Sequence, residues 1–193
     1  MNDKQMNAKP EIIPQGAFVH VVDYLTGSQA DELFVGLLKA APWREEWIHV
    51  YGREVRVPRL VSWYGDPGLN YRYSGNHHAA TGWPQQIEAL RSQLSDFVVT
   101  QFNFVLLNRY RTGADYMGWH TDDEAEMGSQ IASISLGATR RFLLEATTDG
   151  KDMIELAHGS LLTMRTNVRH SLPRTSRPVA ERINLTFRRI VAI

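Results

Sequence analysis

The fold is restricted most strongly by a series of short apolar runs that fills the C-terminal half of the chain. These branched or aromatic runs cover residues 102–110, 131–136, 141–144, 153–156, 160–164 and 183–187, and glycine or proline separates them. Short strands at even spacing with turn residues between them are typical of β-sandwiches and jelly rolls. The pattern therefore predicts an all-β unit over residues 101–193.

The N-terminal half combines a polar lead-in with two helical patterns. Residues 1–15 contain two prolines and predict a flexible tail, and the apolar run 17–22 predicts a first strand. Ser28 is positioned to cap a helix over 29–40, and a second amphipathic helix is expected after Pro84. Together with the β unit, these patterns predict an α+β protein whose helices pack against a sheet.

Length and composition limit the classes of protein that the chain can represent. With 193 residues it is long enough for one domain with a well-buried core. It has no cysteine, which excludes disulfides and thiolate zinc sites, so any metal must be held by His, Asp or Glu. No apolar run approaches the ~18 residues of a membrane span, and the N-terminus lacks the apolar centre of a signal peptide. We therefore expect a cytoplasmic monomer with no membrane contact.

Residues 43–83 are unusually rich in aromatic side chains and arginine. The segment holds four tryptophans, four tyrosines and five arginines. Aromatic faces stack on bases and arginine binds phosphates, so this mixture favours a nucleic-acid surface. The alternative is that most of these aromatic side chains are core. Tyr71 and Tyr73 alternate along one predicted strand and should therefore face the same way.

The sequence WHTDDE places His120 and Asp122 two residues apart on an extended segment. Side chains at this spacing point to the same side, so the pair can offer an imidazole and a carboxylate to one metal. A histidine followed two places later by an acid arises about once by chance in such a composition, so the spacing alone decides little. His170, in a second β region, would complete a set of two histidines and one carboxylate that suits iron(II). The alternative for His170 is an ordinary structural histidine.

Two further strands carry polar residues at alternating positions. In RINLTFR, Arg182, Asn184 and Arg188 share one face and offer cationic and amide donors for a small dicarboxylate. Asn108 and Tyr110 alternate on the run 102–110 and could supply further donors. The pattern indicates a binding site for an anionic co-substrate beside the metal.

Taken together, these motifs resemble the AlkB family of iron(II)/2-oxoglutarate dioxygenases. The resemblance is carried by WHTDDE, HGSLLTM with RHSLP, and RINLTFR, while NFVLLNRYRTG, IASISLGATRRF and YGDPGLNYRYSG are similar to the eukaryotic DNA-repair branch. It covers the chain from about residue 43 to the end. It implies one dioxygenase domain over residues 16–193, with helices and nucleotide-recognition hairpins in 16–100 and a double-stranded β-helix (jelly-roll) catalytic core in 101–193.

The resemblance also assigns the catalytic and co-substrate residues. It implies that His120, Asp122 and His170 are the iron(II) ligands. The contacts to 2-oxoglutarate would come from Asn108, Tyr110, Arg182, Asn184 and Arg188. Of these, Arg182, Tyr110 and Asn184 would hold the distal carboxylate, and Arg188 and Asn108 would lie nearer the metal-binding end. The implied reaction uses O2 to hydroxylate an N-methyl group, with release of succinate and formaldehyde.

A methylated base must leave the stack to be reached, and the resemblance implies residues for this step. They are Val50, Tyr51, Gly52, Arg59, Tyr71, Tyr73, Asp123 and Glu124. Residues 50–52 match a hairpin that wedges into the duplex, and Arg59 matches a contact to the backbone of the flipped nucleotide. Tyr71 and Tyr73 match residues of the base pocket. Asp123 and Glu124 match polar groups near the exocyclic edge, with loop capping or solvation as the alternative.

The expected function is therefore oxidative demethylation of 1-methyladenine and 3-methylcytosine in DNA, with RNA as a further candidate. Tyr51 stands where this branch more often has Phe, and Trp119 precedes the first ligand as in a relative that favours single strands. These differences leave open whether the substrate is single- or double-stranded. Two rival functions also stay open: a 2-oxoglutarate oxygenase of protein or small molecules, and a non-catalytic nucleic-acid-binding jelly roll.

Overall fold

The computed structural model describes residues 13–15, 18–50, 52–73, 76–122, 124, 126–147 and 150–191. These ranges contain the helices α1 (Gly27–Ala40) and α2 (Gln85–Val98). The strands of the N-terminal half are β1 (Ile13–Gln15), β2 (Phe18–Val21), β3 (Trp47–Val50), β4 (Arg53–Arg56), β5 (Leu60–Gly65), β6 (Asn70–Tyr73) and β7 (Asn76–Ala79). Those of the C-terminal half are β8 (Phe104–Tyr110), β9 (Met117–His120), β10 (Gln130–Gly137), β11 (Arg140–Thr147), β12 (Gly150–Leu156), β13 (Leu161–Arg165), β14 (Arg169–Leu172) and β15 (Arg182–Arg188).

The central feature of the fold is a pair of antiparallel sheets that share one core. The larger sheet has seven strands in the order β1-β2-β13-β10-β15-β8-β5, and the smaller has four in the order β12-β11-β14-β9. Apolar side chains of both sheets meet in a common cluster, in which Ile131 and Met164 of the larger sheet accompany Leu144 and Leu156 of the smaller. The predicted α+β class with a jelly-roll core is confirmed. The strand ends differ from the predicted ones by at most three residues.

Strand β15 lies inside the larger sheet, with its apolar side chains on one face of the sheet and its polar side chains on the other. It pairs with β10 on one side and β8 on the other, and all seven of its residues are buried. Ile183, Leu185 and Phe187 belong to the cluster formed with the two helices. Because strand side chains alternate, Arg182, Asn184, Thr186 and Arg188 point the other way, into the space between the sheets. The polar face predicted from RINLTFR is thereby placed inside the jelly roll.

The two helices cover the outer face of the larger sheet. Each presents one buried apolar stripe, with members Ala30, Leu33 and Leu37 on α1 and Ile87, Leu90 and Leu94 on α2. The predicted cap of α1, Ser28, is wrong. Thr26 is the cap: its hydroxyl accepts a hydrogen bond from the backbone N–H of Gln29, whose side chain in turn accepts from the backbone N–H of Thr26. Neither helix is long and apolar enough to span a bilayer.

The residues that precede β2 in the sequence also form a strand. Ile13–Gln15 pairs with β2 at the edge of the larger sheet, although these residues were predicted to belong to a flexible tail. Pro14 lowers the strand propensity of this stretch, but an edge strand tolerates proline because one row of its N–H groups needs no partner. The predicted strand over 17–22 is observed as β2.

Two small hairpins, β3–β4 and β6–β7, lie between the helices in the sequence and are separate from the two large sheets. Of the aromatic side chains that the structure describes in residues 43–83, most pack inward, as the core interpretation predicted. Trp43 and Trp83 contact the cluster beneath the helices, and Trp63 contacts the cluster around Phe104. Trp47 is 49% exposed.

Candidate metal and co-substrate site

The three predicted metal ligands are brought together by strand pairing in the smaller sheet. Strands β9 and β14 are antiparallel neighbours, and their register places His120 directly opposite His170. Asp122 follows β9 by two residues and is buried. Its carboxylate oxygens lie 3.8 Å from Nε2 of His120 and 3.9 Å from Nε2 of His170. The candidate ligand atoms of all three residues lie within 4.8 Å of one another.

Backbone carbonyls orient both imidazoles toward this cluster. Nδ1 of His120 lies 2.9 Å from the carbonyl oxygen of Gly118, and Nδ1 of His170 lies 2.8 Å from that of Val168. A carbonyl oxygen can only accept, so each Nδ1 carries the proton and each Nε2 presents a lone pair. This is the tautomer that a metal ligand requires.

The local electrostatics hold these ligands in their metal-binding protonation states. Burial, together with the charge of His170, lowers the pKa of His120 to about 4, and burial also lowers the pKa of His170. Burial alone would raise the pKa of Asp122, but the neighbouring Arg188 guanidinium and the two histidines hold it below its ordinary value. Two neutral imidazoles and one carboxylate on one side of a cavity match the donor set of non-haem iron(II).

Arg182 provides the second half of the site. Its side chain is only 2% exposed, its Nη2 donates to the hydroxyl of Ser135 at 2.9 Å, and its guanidinium lies 5.3 Å from the ring centre of Tyr110. Among the described residues it has no carboxylate partner, and its Nε has no acceptor. Burial lowers the pKa of Arg182 to about 10, which still leaves it a cation at neutral pH. A buried cation without a counter-ion destabilises the folded protein, so binding of an anionic carboxylate beside Arg182 is favoured.

The remaining co-substrate residues lie on β8, the strand of Tyr110, and on β15, the strand of Arg182. Asn184 donates to Ser133 Oγ at 2.6 Å and accepts from Thr186 Oγ1 at 2.9 Å. One cavity is lined by the metal ligands and by all five predicted co-substrate residues. The other residues that line it are Met117, Ile131, Ser133, Phe142, Met164, Leu172 and Thr186. The geometry therefore joins a metal cluster and a cationic pocket in one space.

Arg188 contacts the metal cluster itself. Its Nη2 donates to Oδ1 of Asp122 at 2.9 Å, and its Nη1 donates to the hydroxyl of Tyr71 at 3.3 Å. Arg188 therefore holds one oxygen of the carboxylate ligand in place. Asn108 accepts a hydrogen bond from Nε of Arg59 at 2.6 Å. The predicted proximity of Arg188 and Asn108 to one end of 2-oxoglutarate stays a prediction.

The predicted base-contacting residues are only partly described. Tyr71 is fully buried, between Phe104, His78 and Arg188, so its ring offers no open face for stacking. Its hydroxyl bonds to the carboxylate of Glu124, and burial raises the pKa of that carboxyl group. Arg59 is also buried.

Gly52 occupies the turn of the β3–β4 hairpin with φ of 75°, a conformation that favours glycine. Tyr51 and Asp123, and the side chains of Val50 and Tyr73, lie outside the described residues.

Sequence reasoning missed the serines that support the co-substrate residues. Ser133 and Ser135 alternate on β10, opposite Thr186 and Asn184 of β15, and contact Asn184 and Arg182 respectively. Two small polar residues at spacing 2 in the apolar run IASISLG were the available signal.

Known proteins resemble this chain in both sequence and fold. A family model described as the 2OG-Fe(II) oxygenase superfamily matches residues 17–188. DNA oxidative demethylase ALKBH2 of Homo sapiens is 40% identical over 182 residues, covering 85% of this chain and 70% of that protein. Alpha-ketoglutarate-dependent dioxygenase alkB homolog 3 of Bos taurus is 33% identical over 183 residues, covering 84% and 62%.

The fold alone is shared with an oxidoreductase of the 2OG-Fe(II) oxygenase family from Burkholderia pseudomallei. That structure superposes with a TM-score of 0.62 at 15% identity and covers 89% of this chain and 84% of its own.

Proposed function

Because the chain belongs to the 2OG-Fe(II) oxygenase superfamily and, within it, to the AlkB family, we propose that it is an oxidative demethylase of N-alkylated bases in DNA. The proposed lesions are 1-methyladenine and 3-methylcytosine, in single- or double-stranded DNA. The proposal is supported by the similarity to DNA oxidative demethylase ALKBH2 over 85% of the chain. RNA that carries the same lesions is the second substrate to test.

The observation that carries the proposal is the shared cavity of the metal cluster and Arg182. A histidine–aspartate–histidine cluster alone would suit several metals and reactions. The buried guanidinium of Arg182 has no carboxylate partner among the described residues and therefore favours an anionic ligand in the same space. 2-Oxoglutarate is such a ligand, since it carries one carboxylate for the cation and a keto acid for the metal.

The residues of the site have separable tasks in this reaction. His120, Asp122 and His170 would hold iron(II), and Arg188 keeps the Asp122 carboxylate ionised and oriented. When bound, iron(II) with O2 and 2-oxoglutarate supplies the oxidation that converts the N-methyl group into an N-hydroxymethyl group, which leaves as formaldehyde while 2-oxoglutarate becomes succinate and carbon dioxide. Arg182 would fix the co-substrate through its far carboxylate.

Mass spectrometry of methylated oligonucleotides tests the proposal. The protein is incubated with iron(II), 2-oxoglutarate and O2, and with single- or double-stranded DNA that carries either lesion. We expect the methyl group to be lost and an unmodified base to remain, and we expect no loss with the His120→Ala variant. Unchanged oligonucleotides together with steady succinate formation would favour the rival enzyme that acts on protein or a small molecule. DNA binding with neither product would favour the non-catalytic nucleic-acid-binding protein.

A further inference from the structure

The β3–β4 and β6–β7 hairpins carry most of the predicted nucleic-acid contacts, yet each is only a two-stranded sheet. Isolated two-stranded hairpins are marginally stable in water. All four side chains of β4 are exposed, and Trp47 of β3 is half exposed, so the first hairpin buries little apolar surface of its own. Its position must therefore depend on specific contacts with the rest of the protein.

A buried acid–histidine pair joins the two hairpins. Nε2 of His78, on β7, lies 2.7 Å from Oε1 of Glu46, the residue directly before β3. The side chains are 1% and 8% exposed. A second link lies beside the pair, where Nδ2 of Asn76 donates to the carbonyl oxygen of Trp47 at 2.9 Å. The contact between Glu46 and His78 is buried, so water cannot replace either partner and the loss of one leaves the other unsatisfied.

The His78 ring is itself held in a fixed orientation. Trp63 packs edge-on against it, with ring centres 4.5 Å apart, and the indole N–H of Trp63 donates to the carbonyl oxygen of Ala79. Tyr71 is the direct cross-strand neighbour of His78, and its hydroxyl accepts from Arg188, which bonds to Asp122. Contacts therefore run without a gap from Glu46 before the first hairpin to a candidate metal ligand.

We propose that Glu46 and His78 are a positioning pair that fixes the β3–β4 hairpin, which carries the predicted wedge, relative to strand β6. This inference rests on the proposed function, since it assigns a role in binding duplex DNA. Neither residue lines the metal and co-substrate cavity, so the pair acts through the hairpins. Loosening the hairpin weakens insertion into a duplex, whereas a base in a single strand needs no wedge.

A double-mutant cycle separates this role from simple stabilisation. Glu46→Ala, His78→Ala and the double variant are compared with wild type on methylated duplex and on methylated single strands, at saturating iron(II) and 2-oxoglutarate. Each single change is expected to raise KM for duplex about tenfold with kcat nearly unchanged, and the double variant should be no worse than either single one. KM for single strands should change less than about twofold. His77→Ala, an exposed neighbour on β7, is the matched control and should behave as wild type.

Two further measurements keep the test decisive. The conservative change Glu46→Gln, which keeps the shape and a hydrogen-bonding group, should restore much of the duplex KM. Amide hydrogen exchange of the DNA-free protein should become faster in residues 47–56 in both alanine variants, with β8 and β15 unchanged. Equal losses on duplex and single strands, or unchanged exchange in the hairpin, would overturn the positioning role. A wild-type protein that demethylates neither substrate would instead refute the proposed function.

Discussion

Replacing Arg182 by methionine is expected to stabilise the metal-free protein while it abolishes 2-oxoglutarate binding. Burial lowers the pKa of Arg182 to about 10, compared with roughly 12.5 for an ordinary arginine. Since a tenfold change in acidity corresponds to about 1.4 kcal/mol, holding this charge in the core costs about 3 kcal/mol. Methionine has a similar length and no charge, so it removes that cost.

Part of the gain is lost with the contacts that Arg182 makes. The hydrogen bond to Ser135 and the contact with the Tyr110 ring together contribute about 1 kcal/mol. The variant should therefore unfold in urea with a free energy about 2 kcal/mol above wild type. In wild type, 2-oxoglutarate at one hundred times its Kd should add about 2.7 kcal/mol in the presence of manganese(II), which supports binding without turnover. The variant should gain nothing from it.

Arg140 offers a matched control for this experiment. It is also buried, at 3% exposure, but its guanidinium donates to the carbonyl oxygens of Thr112, Asp115 and Pro173. Arg140→Met leaves those acceptors unsatisfied and should destabilise the protein by about 2 kcal/mol or more. Two results would refute the assignment of Arg182 as a buried cation that binds the carboxylate of 2-oxoglutarate. One is that Arg182→Met destabilises the protein as much as Arg140→Met does, and the other is that 2-oxoglutarate still stabilises the Arg182→Met variant.

Three further predictions concern the metal cluster, the loop before β9 and the wedge. His120→Ala should abolish both demethylation and the rise in Tm that manganese(II) produces in wild type, while the metal-free Tm stays close to wild type, as thermal unfolding will show. Burial alone would raise the pKa of Asp115, but the hydrogen bonds from Arg111 hold that pKa below its ordinary value. The ion pair of Asp115 with Arg111 therefore stabilises the fold above about pH 4, and this stabilisation is lost at lower pH. Asp115→Asn should thus cost about 1–3 kcal/mol at pH 7, and the difference from wild type should shrink toward pH 3 in urea titrations. Tyr51→Ala should reduce activity on duplex more than on single strands, and equal losses in the two kinetic assays would count against the wedge.

The parts of the site that sequence reasoning anticipated are those that follow from strand periodicity. His120 and Asp122 share a side because they lie two residues apart, and Arg182 and Asn184 share a face for the same reason. The sequence could not show that β9 and β14 are neighbours, which is what places His170 opposite His120. That pairing depends on contacts between residues 50 positions apart. The assignment of His170 as the third ligand therefore came from the resemblance to a family.

The cap of α1 was predicted wrongly, and two other features were not predicted, because a competing local signal or a tertiary contact decided each outcome. Thr26 outcompetes Ser28 as the cap of α1 because Gln29 lies three residues after Thr26 and completes a reciprocal pair of hydrogen bonds. Alternation correctly put Tyr71 on strand β6, but it could not reveal that Phe104 and Arg188 cover the ring. The pair of Glu46 and His78 spans 32 residues and has no local sequence signal.

The central claim, that one cavity couples 2-oxoglutarate oxidation to demethylation of a base, is tested most directly by stoichiometry. Succinate, formaldehyde and unmodified base are quantified together in reactions with and without oligonucleotides that contain 1-methyladenine or 3-methylcytosine. We predict equal amounts of the three products, and succinate formation that rises several-fold when methylated DNA is added. Succinate formation at the same rate with methylated, unmethylated or no DNA, without formaldehyde, would contradict the account.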